Sequence, residues 1–308
     1  MKYNKTSWPE LNWDAWRETE MTVHLFTQII GKIRLGLMPM QTEWAQVPLT
    51  VNSRGISSQG MITDFGSLDI EFNFIDHRIY FYASSGKSVS FTLKDKSVAS
   101  FYKETMEALN ELDVKINISP MSVEMETPVK MDTDEEHGAY NEELVSVWWH
   151  LLIVIGNTFK KFRSRFSGKQ TPVCFYWGSF DLAVSFFSGK ILDPTPENDL
   201  IYRVAMDAEH TTIGFWTGSD AAPEAVFFAY TYPKPEGLEN EILKPAAAKW
   251  SLEKGEFILP YEFVSKQDNP EEALLDFCES SYRAGFKLAH WNAETLEHKP
   301  PLKKPKQK

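Results

Sequence analysis

The sequence predicts an α+β protein with antiparallel sheets flanked by helices. Two long segments carry apolar residues at spacings of three and four, which is typical of helices. After each segment come short runs in which apolar and polar residues alternate, separated by Gly, Asn, Asp and Ser, which is typical of antiparallel strands. The order of long helix, four or five strands and helix occurs twice, so we expect two pseudo-repeated halves.

The predicted domain organisation follows from this order. We expect residues 1–120 to form the first α+β half and residues 141–295 to form the second. Residues 121–140 lack periodicity and are rich in Pro and acids, so they are expected to form an acidic linker loop. Residues 296–308 are rich in Pro and Lys and predict a disordered basic tail. Both halves are expected to form one compact unit.

The first half should begin with a helix that Asn12 or Asp14 caps and that runs to about Leu37. One face of this helix is polar, and position alone predicts that it is solvated; it consists of His24, Thr27, Gln28 and Lys32. A second helix is expected at 98–112, with Ser97 as its cap. The predicted strands of this half are 45–51, 56–62, 68–75, 78–83, 88–93 and 114–118.

The second half should begin with a long helix from about Asn141 that Gly168 caps at its C-terminus. Residues 171–187 follow as one long strand or as a hairpin broken at Gly178. A last helix is expected from Pro270, which suits the first helical position, to about Trp291. The remaining predicted strands are 201–206, 211–216, 225–232, 247–252 and 256–260.

Charge and composition exclude several classes of protein. The net charge of −11 argues against a nucleic-acid binder, which needs a basic face. No signal peptide opens the chain, and the longest apolar run, 144–155, is too short to span a bilayer. Cys174 and Cys278 are too few for a disulfide framework and are expected to be buried thiols. We therefore expect a soluble, cytoplasmic protein without a membrane partner.

Positive charge is concentrated in one segment of this acidic chain. Residues 160–169 contain five Lys or Arg residues and no acid, whereas 121–143 contains eight acids and one Lys. Arg and Lys side chains recognise carboxylates and phosphates, and a similar cationic helix end occurs near residue 32. The candidate ligand-binding residues are Lys32, Arg34, Arg163, Arg165 and Lys169, with Trp177 stacking on the ligand. The alternative is a solvated helix end whose cations complement the helix dipole.

Acid–base chemistry has weaker candidates. Ser179 and Asp181 lie in a Trp-Gly-Ser-Phe-Asp run, where a bulge could re-aim a side chain, and His77 follows Asp76 at a strand end. Nucleophilic catalysis by Ser179 would need a histidine, and spacing identifies none. The alternatives are a structural bulge and a turn histidine. Because phosphate-binding, dinucleotide-binding and metal-ligand motifs are missing, no cofactor and no metal are predicted.

Four stretches carry a family resemblance: WPELNWDAW, HLFTQIIGKIRL, FNFIDHRIYF and KKFRSRFSGKQTPVCFYWGSFDLAVSFFSGK. In these the chain resembles domain-of-unknown-function family 5996, a family of uncharacterised bacterial proteins. The likeness extends from Trp8 to about Trp291. Where the family has a stretch like EHAAYD, this chain has EHGAYN, so Asn141 stands in place of an Asp. The resemblance implies a whole-length bacterial domain but no activity, substrate or cofactor.

Two functions remain open from the sequence. The first is binding of a small anionic metabolite, with or without turnover, in an aromatic-walled cleft between the two halves. The second is a non-catalytic protein-interaction or scaffold role, in which the chain could assemble as a homo-oligomer. A deep polar pocket would favour the first, and an exposed apolar patch would favour the second.

Overall fold

The computed structural model describes residues 7–193 and 200–297, except for the side chains of residues 200–202. In these ranges the chain has two antiparallel sheets together with α-helices, which confirms the predicted α+β class. The described residues form two compact units, each built from separate segments. The first unit contains 7–154, 174–182 and 216–225, and the second contains 155–173, 183–193, 200–215 and 226–297.

The first unit begins with helix α1 (Trp13–Leu37). Asn12 is its N-cap, as predicted, because its side-chain oxygen accepts a hydrogen bond from the Ala15 N–H at 3.1 Å. The prediction of a solvated polar face on α1 is wrong. All four of its residues are buried, because segments distant in sequence cover that face: His24, Thr27, Gln28 and Lys32.

The first sheet is a meander in which alternate residues point to the core, as the sequence pattern predicts. Leu68, Ile70 and Phe72 are buried, while Asp69 and Glu71 between them are partly exposed. The strand order is β1-β2-β4-β5-β6, with β3 paired to β4. The strands are β1 (Thr50–Val51), β2 (Gly55–Ser57), β3 (Met61–Thr63), β4 (Gly66–Asn73), β5 (Arg78–Ala83) and β6 (Ser88–Thr92).

Helix α2 (Val98–Glu111) follows the sheet, with Ser97 as the predicted cap. The strand predicted at 114–118 is wrong. These residues belong to no strand, because the chain leaves α2 in a turn in which the Val114 N–H donates to the Leu109 carbonyl at 2.8 Å. Residues 121–140 lie within the first unit. They provide a hydrogen-bond acceptor for the first turn of α2, since the Ala99 N–H donates to the Asp134 carbonyl at 2.9 Å.

Helix α3 (Glu142–Arg163) starts in the first unit and ends in the second. Its N-cap is Asn141, whose side-chain oxygen accepts hydrogen bonds from the N–H groups of Glu143 and Leu144. Strand β7 (Cys174–Tyr176) belongs to the first unit, and strand β8 (Asp181–Ile191) begins there. Of the two readings of 171–187, the broken one is confirmed, because a turn at 177–180 separates β7 from β8.

In the second unit, a sheet has the strand order β11-β12-β10-β9-β8. The strand predicted at 201–206 is wrong, because this segment forms helix α4. Pro270 occupies the first turn of helix α6, as predicted, after the cap Asn269. The elements after β8 are α4 (Leu200–Ala205), β9 (Ala208–Trp216), β10 (Val226–Tyr232), β11 (Lys249–Ser251), β12 (Glu256–Pro260), α5 (Tyr261–Ser265), α6 (Pro270–Leu288) and α7 (Ala293–Leu296).

Three expectations keep their status as predictions. The repeat of the two halves is one, and the boundary at 121–140 is another. The tail predicted at 296–308 lies outside the described residues from 298 onward. Within the described parts of the chain, no helix combines the length and apolar character needed to cross a membrane.

Candidate functional site

The candidate site is the buried polar row of α1, formed by Glu20, His24 and Gln28. These residues are four positions apart, so their side chains lie one above the other on one helix face. Glu20 is 4% exposed, His24 is 7% exposed and Gln28 is fully buried. Ionisable side chains are rarely buried without a pairing partner or a function, so this row is the feature of the first unit that most needs an explanation.

Glu20 and His24 form an acid–base pair in which burial favours the neutral forms. The Glu20 Oε1 lies 3.7 Å from the His24 Nδ1. Burial raises the pKa of Glu20 to about 8, and the negative charge of Asp220 adds to the rise. Burial lowers the pKa of His24 to about 4, against a smaller opposite effect of the Gly178 and Trp177 backbone. At neutral pH Glu20 is therefore a carboxylic acid beside a neutral imidazole.

Two polar groups lie within 3.1 Å of the His24 Nε2 atom. One is the carbonyl oxygen of Gly178 at 2.9 Å, and the other is the side-chain nitrogen of Gln28 at 3.1 Å. Gln28 is itself held by the backbone of Val123: its Oε1 accepts from the Val123 N–H at 2.8 Å, and its Nε2 donates to the Val123 carbonyl at 2.9 Å. The row is thus tied to two segments that are far away in sequence.

An aromatic ring lies beside the imidazole and belongs to a larger stack. The Phe180 ring lies 4.8 Å from the His24 ring and stacks on Trp148 at 4.9 Å. Phe180 has a φ of 58°, which is unusual for a bulky residue. Backbone strain of this kind is found preferentially at functional sites, where the surroundings maintain it.

Buried hydrogen-bond donors without partners occur in the same unit. The indole N–H groups of Trp16 and Trp148 and the Thr217 hydroxyl are buried and have no hydrogen-bond partner among the described residues. Trp16 precedes Glu20 by one helical turn, and its ring lies 5.8 Å from that of Trp148. Unpaired buried donors are rare in native proteins, and a bound ligand or water is a common explanation.

A second residue with a positive φ, Glu124, lies against the turn whose Gly178 carbonyl is bonded to His24. Glu124 has a φ of 54°, and its carboxylate lies against the backbone of Gly178. A Cβ at position 178 would lie 1.9 Å from the Glu124 Oε1, so only glycine admits this close approach. Gly178, where the sequence predicts a bulge or a break, therefore contacts both His24 of α1 and Glu124.

Two of the predicted catalytic residues lie together beside this row. The Ser179 hydroxyl donates to the Asp181 carboxylate. Since His24 is bonded to Gly178 and Gln28 rather than to this hydroxyl, these bonds do not form a Ser–His–Asp relay. The third, His77, has its Nδ1 3.0 Å from the Tyr140 hydroxyl. Catalytic roles for Ser179, Asp181 and His77 stay predictions.

Three predicted ligand-binding residues belong to the first unit. Burial lowers the pKa of the Lys32 ammonium, which is one turn beyond Gln28. Arg34 is 7% exposed, and its guanidinium donates to the Ser58 carbonyl. The Trp177 ring lies on Gly31, and its N–H donates to the Val47 carbonyl at 3.0 Å. Trp177 therefore has a packed environment.

The other predicted cations belong to the second unit, where they have protein partners. Arg163 donates to the Gln170 side chain at 3.0 Å. The Arg165 guanidinium forms an ion pair with Glu279 and lies 4.4 Å from the centre of the Phe162 ring. The Lys169 ammonium lies 5.7 Å from the centre of the Phe187 ring. Their meeting with Lys32 and Arg34 over one ligand stays a prediction.

Sequence reasoning missed Glu20 and did not assign a role to Gln28. A signal was present, because Glu20, His24, Gln28 and Lys32 repeat at intervals of four on one helix face. What the sequence does not show is which segments cover that face. In the described residues no group of three or more His, Cys, Asp or Glu side chains is placed to hold a metal ion.

The fold and the site together define an α+β protein with a buried acid–base pair on its first helix. The chain belongs to the family of unknown function DUF5996, whose pattern matches residues 8–298. No curated protein and no solved structure matches the chain. Membership confirms the resemblance seen in the sequence and assigns no activity.

Proposed function

We propose that the protein binds a small anionic metabolite next to Glu20 and exchanges a proton with it. The observation that carries the proposal is the buried Glu20–His24 pair, in which Glu20 keeps its proton at neutral pH. A carboxylic acid whose pKa lies near 8 can donate a proton or take one back under cellular conditions. Perturbed carboxyl groups of this kind are typical of enzymes that act by general acid–base catalysis.

The ligand class follows from the hydrogen-bond donors. At neutral pH the Glu20 hydroxyl is a donor, and within the described part of the chain the indole N–H groups of Trp16 and Trp148 are donors without partners. A ligand that satisfies them must offer acceptor oxygens, as a carboxylate or phosphate does. An ionised Glu20 would instead repel such a ligand. Binding is therefore coupled to the protonation of Glu20, and an anion should bind more weakly above pH 8.

Glu20→Gln is the informative variant, because glutamine has nearly the same shape, is a donor and stays neutral at every pH. We would titrate acetate, succinate, phosphate and sulfate into the full-length protein by calorimetry at pH 7 and pH 9.5. For the wild type we expect at least tenfold weaker binding at pH 9.5. For Glu20→Gln we expect binding at both pH values with equal affinity.

Buffers of different ionisation enthalpy give the protons taken up per bound anion. At pH 8.5 the wild type should take up about three quarters of a proton, the ionised fraction of a group whose pKa is about 8, and Glu20→Gln should take up none. The control is Arg163→Ala, which removes a cation of the second unit and should leave binding unchanged. Equal and negligible heats for all three proteins would contradict anion binding, and a loss confined to Arg163→Ala would place the ligand on the cationic residues instead.

The outer face of the first sheet favours a second function, a protein-interaction or scaffold role. Tyr80 and Tyr82 are parallel neighbours on β5, with ring centres 5.6 Å apart, and Ile62 on β3 is 57% exposed. Exposed tyrosines and apolar side chains are enriched at protein interfaces. Light scattering tests this: a homo-oligomer that Tyr82→Ser dissociates would support it, and a monomer at high concentration would contradict self-association.

We also propose that the protein acts in the bacterial cytoplasm. Both cysteines, Cys174 and Cys278, are buried free thiols, which suits a reducing compartment. The family resemblance supports a bacterial source. Cell fractionation of a tagged chain tests the compartment, and recovery in the periplasmic fraction would contradict it.

A further inference from the structure

We infer that Gln28 and the Gly178 carbonyl together allow His24 to change tautomer, so that the imidazole serves Glu20 both as acceptor and as donor. His24 is then a positioning residue for the proton that Glu20 carries. This inference rests on the proposed function, because it explains how Glu20 can lose its proton and regain it inside a buried site.

The orientation of the Gln28 amide is the first step. The Val123 N–H must be accepted by an oxygen, and the Val123 carbonyl must receive an N–H. Both bonds are present, at 2.8 and 2.9 Å, so the oxygen and nitrogen of the amide cannot be interchanged. The nitrogen 3.1 Å from His24 Nε2 is therefore an NH₂ group whose second hydrogen is free to point at the imidazole.

The second step concerns Nε2, which faces a donor and an acceptor together. When Nε2 carries the proton, it donates to the Gly178 carbonyl at 2.9 Å. When Nε2 is unprotonated, it accepts the second hydrogen of Gln28. Each neutral tautomer thus has one hydrogen bond at Nε2. An imidazole with a single kind of partner would instead be fixed in one tautomer, because its hydrogen bond decides which nitrogen carries the proton.

The third step is the opposite nitrogen. Nδ1 lies 3.7 Å from the Glu20 Oε1, and for the change of tautomer the carboxyl group must come about 0.5 Å closer, to hydrogen-bond distance. A protonated Glu20 donates to an unprotonated Nδ1, and the imidazole proton is then on Nε2. An ionised Glu20 accepts from a protonated Nδ1, and Nε2 then accepts from Gln28. Loss of the Glu20 proton should therefore reverse the tautomer of His24.

Three acidic residues near the pair come from three segments of the chain. Asp220 acts on Glu20 and accepts a hydrogen bond from the Trp13 indole at 3.1 Å. Glu124 lies against Gly178, and Asp181 follows Phe180 at the start of β8. All three are acids, so none of them stabilises an ionised Glu20. The change of tautomer is what gives an ionised Glu20 a hydrogen-bond donor, the Nδ1–H of His24.

Nitrogen-15 NMR of the imidazoles tests the inference on the ligand-free, full-length protein. The chain has seven histidines, and His24 is assigned as the signal that His24→Gln removes. In the wild type we expect mainly the Nε2–H tautomer at pH 6.5 and mainly the Nδ1–H tautomer at pH 9.5. In Gln28→Leu, which cannot donate to Nε2, we expect the Nε2–H tautomer at both pH values.

Ser122→Ala is the matched control. Ser122 accepts from the Val129 N–H at 2.7 Å, so its loss loosens the segment that Gln28 holds without changing the neighbours of His24. The control should keep the wild-type reversal. One unchanged tautomer in the wild type at both pH values would overturn the inference, even if Gln28→Leu did not fold. The readout needs no ligand, so a failure of anion binding and a failure of the tautomer switch are distinguishable.

Discussion

The indole ring of Trp177 lies directly on the backbone of Gly31 in α1. A Cβ at position 31 would lie 2.2 Å from the nearest ring atom, far inside van der Waals contact. The Trp177 N–H donates to the Val47 carbonyl at 3.0 Å, so the ring cannot move away without losing a buried hydrogen bond. This contact joins the turn at 177–180 to the helix that carries Glu20 and His24.

Gly31→Ala should therefore destabilise the protein, although alanine is the better helix former. Overpacking of a filled core costs about 1–3 kcal/mol, which exceeds the gain of about 1 kcal/mol in helix propensity. Gly36→Ala on the same helix is the control. Its Cβ would meet only the end of the flexible Ile116 side chain, at 2.7 Å, so we expect no loss. Urea unfolding measures the stability of both variants. Equal unfolding midpoints would contradict the close contact between Trp177 and Gly31.

The buried pair predicts an unusual dependence of stability on pH. The pKa of Glu20 is about 8 in the folded chain and about 4.5 when unfolded, so the folded state holds the extra proton between these values and stability falls as pH rises. The pKa of His24 is about 4 when folded and about 6.5 when unfolded, so stability rises with pH in that window. The two effects oppose each other up to pH 6.5.

Burial also raises the pKa of Glu256 to about 7, so its contribution adds to the fall below pH 7. The contribution of Glu20 is therefore best isolated between pH 7 and pH 8. We expect the free energy of unfolding to fall by roughly 1 kcal/mol over this range, since the slope of about 1.4 kcal/mol per pH unit lessens as pH approaches the folded pKa. Glu20→Gln does not ionise and should remove the fall. Urea unfolding at half-unit intervals measures the slope in both proteins. A wild-type slope equal to that of Glu20→Gln would mean that Glu20 is already ionised in the folded state.

The elements of this fold follow from local sequence, whereas the site follows from long-range packing. Ser97 and Pro270 were assigned correctly, and Asn12 was one of the two caps predicted for the first helix, because caps and helix starts depend on neighbouring residues. The predictions at 114–118 and 201–206 failed because a short apolar run becomes a strand only if a partner strand lies beside it.

The polar row of α1 shows why the site could not be predicted in full from the sequence. The spacing of Glu20, His24 and Gln28 reveals that they share a face, but not that Val123 and Gly178 cover it. These contacts join residues 95 and 154 positions apart in sequence. A single sequence does not encode them in any local pattern, and burial is what changes the pKa values.

The Asp-to-Asn difference from the family pattern has a structural explanation in the N-cap of α3. Asn141 accepts from the N–H groups of Glu143 and Leu144 at 3.0 and 3.1 Å, and aspartate would do the same. Asn141→Asp should change stability by less than about 0.5 kcal/mol, whereas Asn141→Ala should cost about 1 kcal/mol. Thermal unfolding compares them. A large loss for Asn141→Asp would show that the charge itself matters here.

Arg165 decides whether the cationic segment is structural or ligand-binding. Its guanidinium pairs with Glu279 and lies 4.4 and 5.5 Å from the ring centres of Phe162 and Tyr282. The pair is partly exposed, so an ion pair and a cation–π contact together contribute about 1 kcal/mol. Arg165→Met keeps the aliphatic packing and should lose that amount with unchanged anion affinity.

Lys160→Met is the matched control, because Lys160 is an exposed cation of the same segment. It should change stability by less than about 0.5 kcal/mol. Urea unfolding and anion titration of both variants separate the two roles of Arg165. If Arg165→Met weakened anion binding tenfold while its stability matched that of Lys160→Met, the cation would be a ligand contact. Because the Arg165 guanidinium already pairs with Glu279 and lies over two aromatic rings, we expect Arg165→Met to lower stability and to leave anion affinity unchanged.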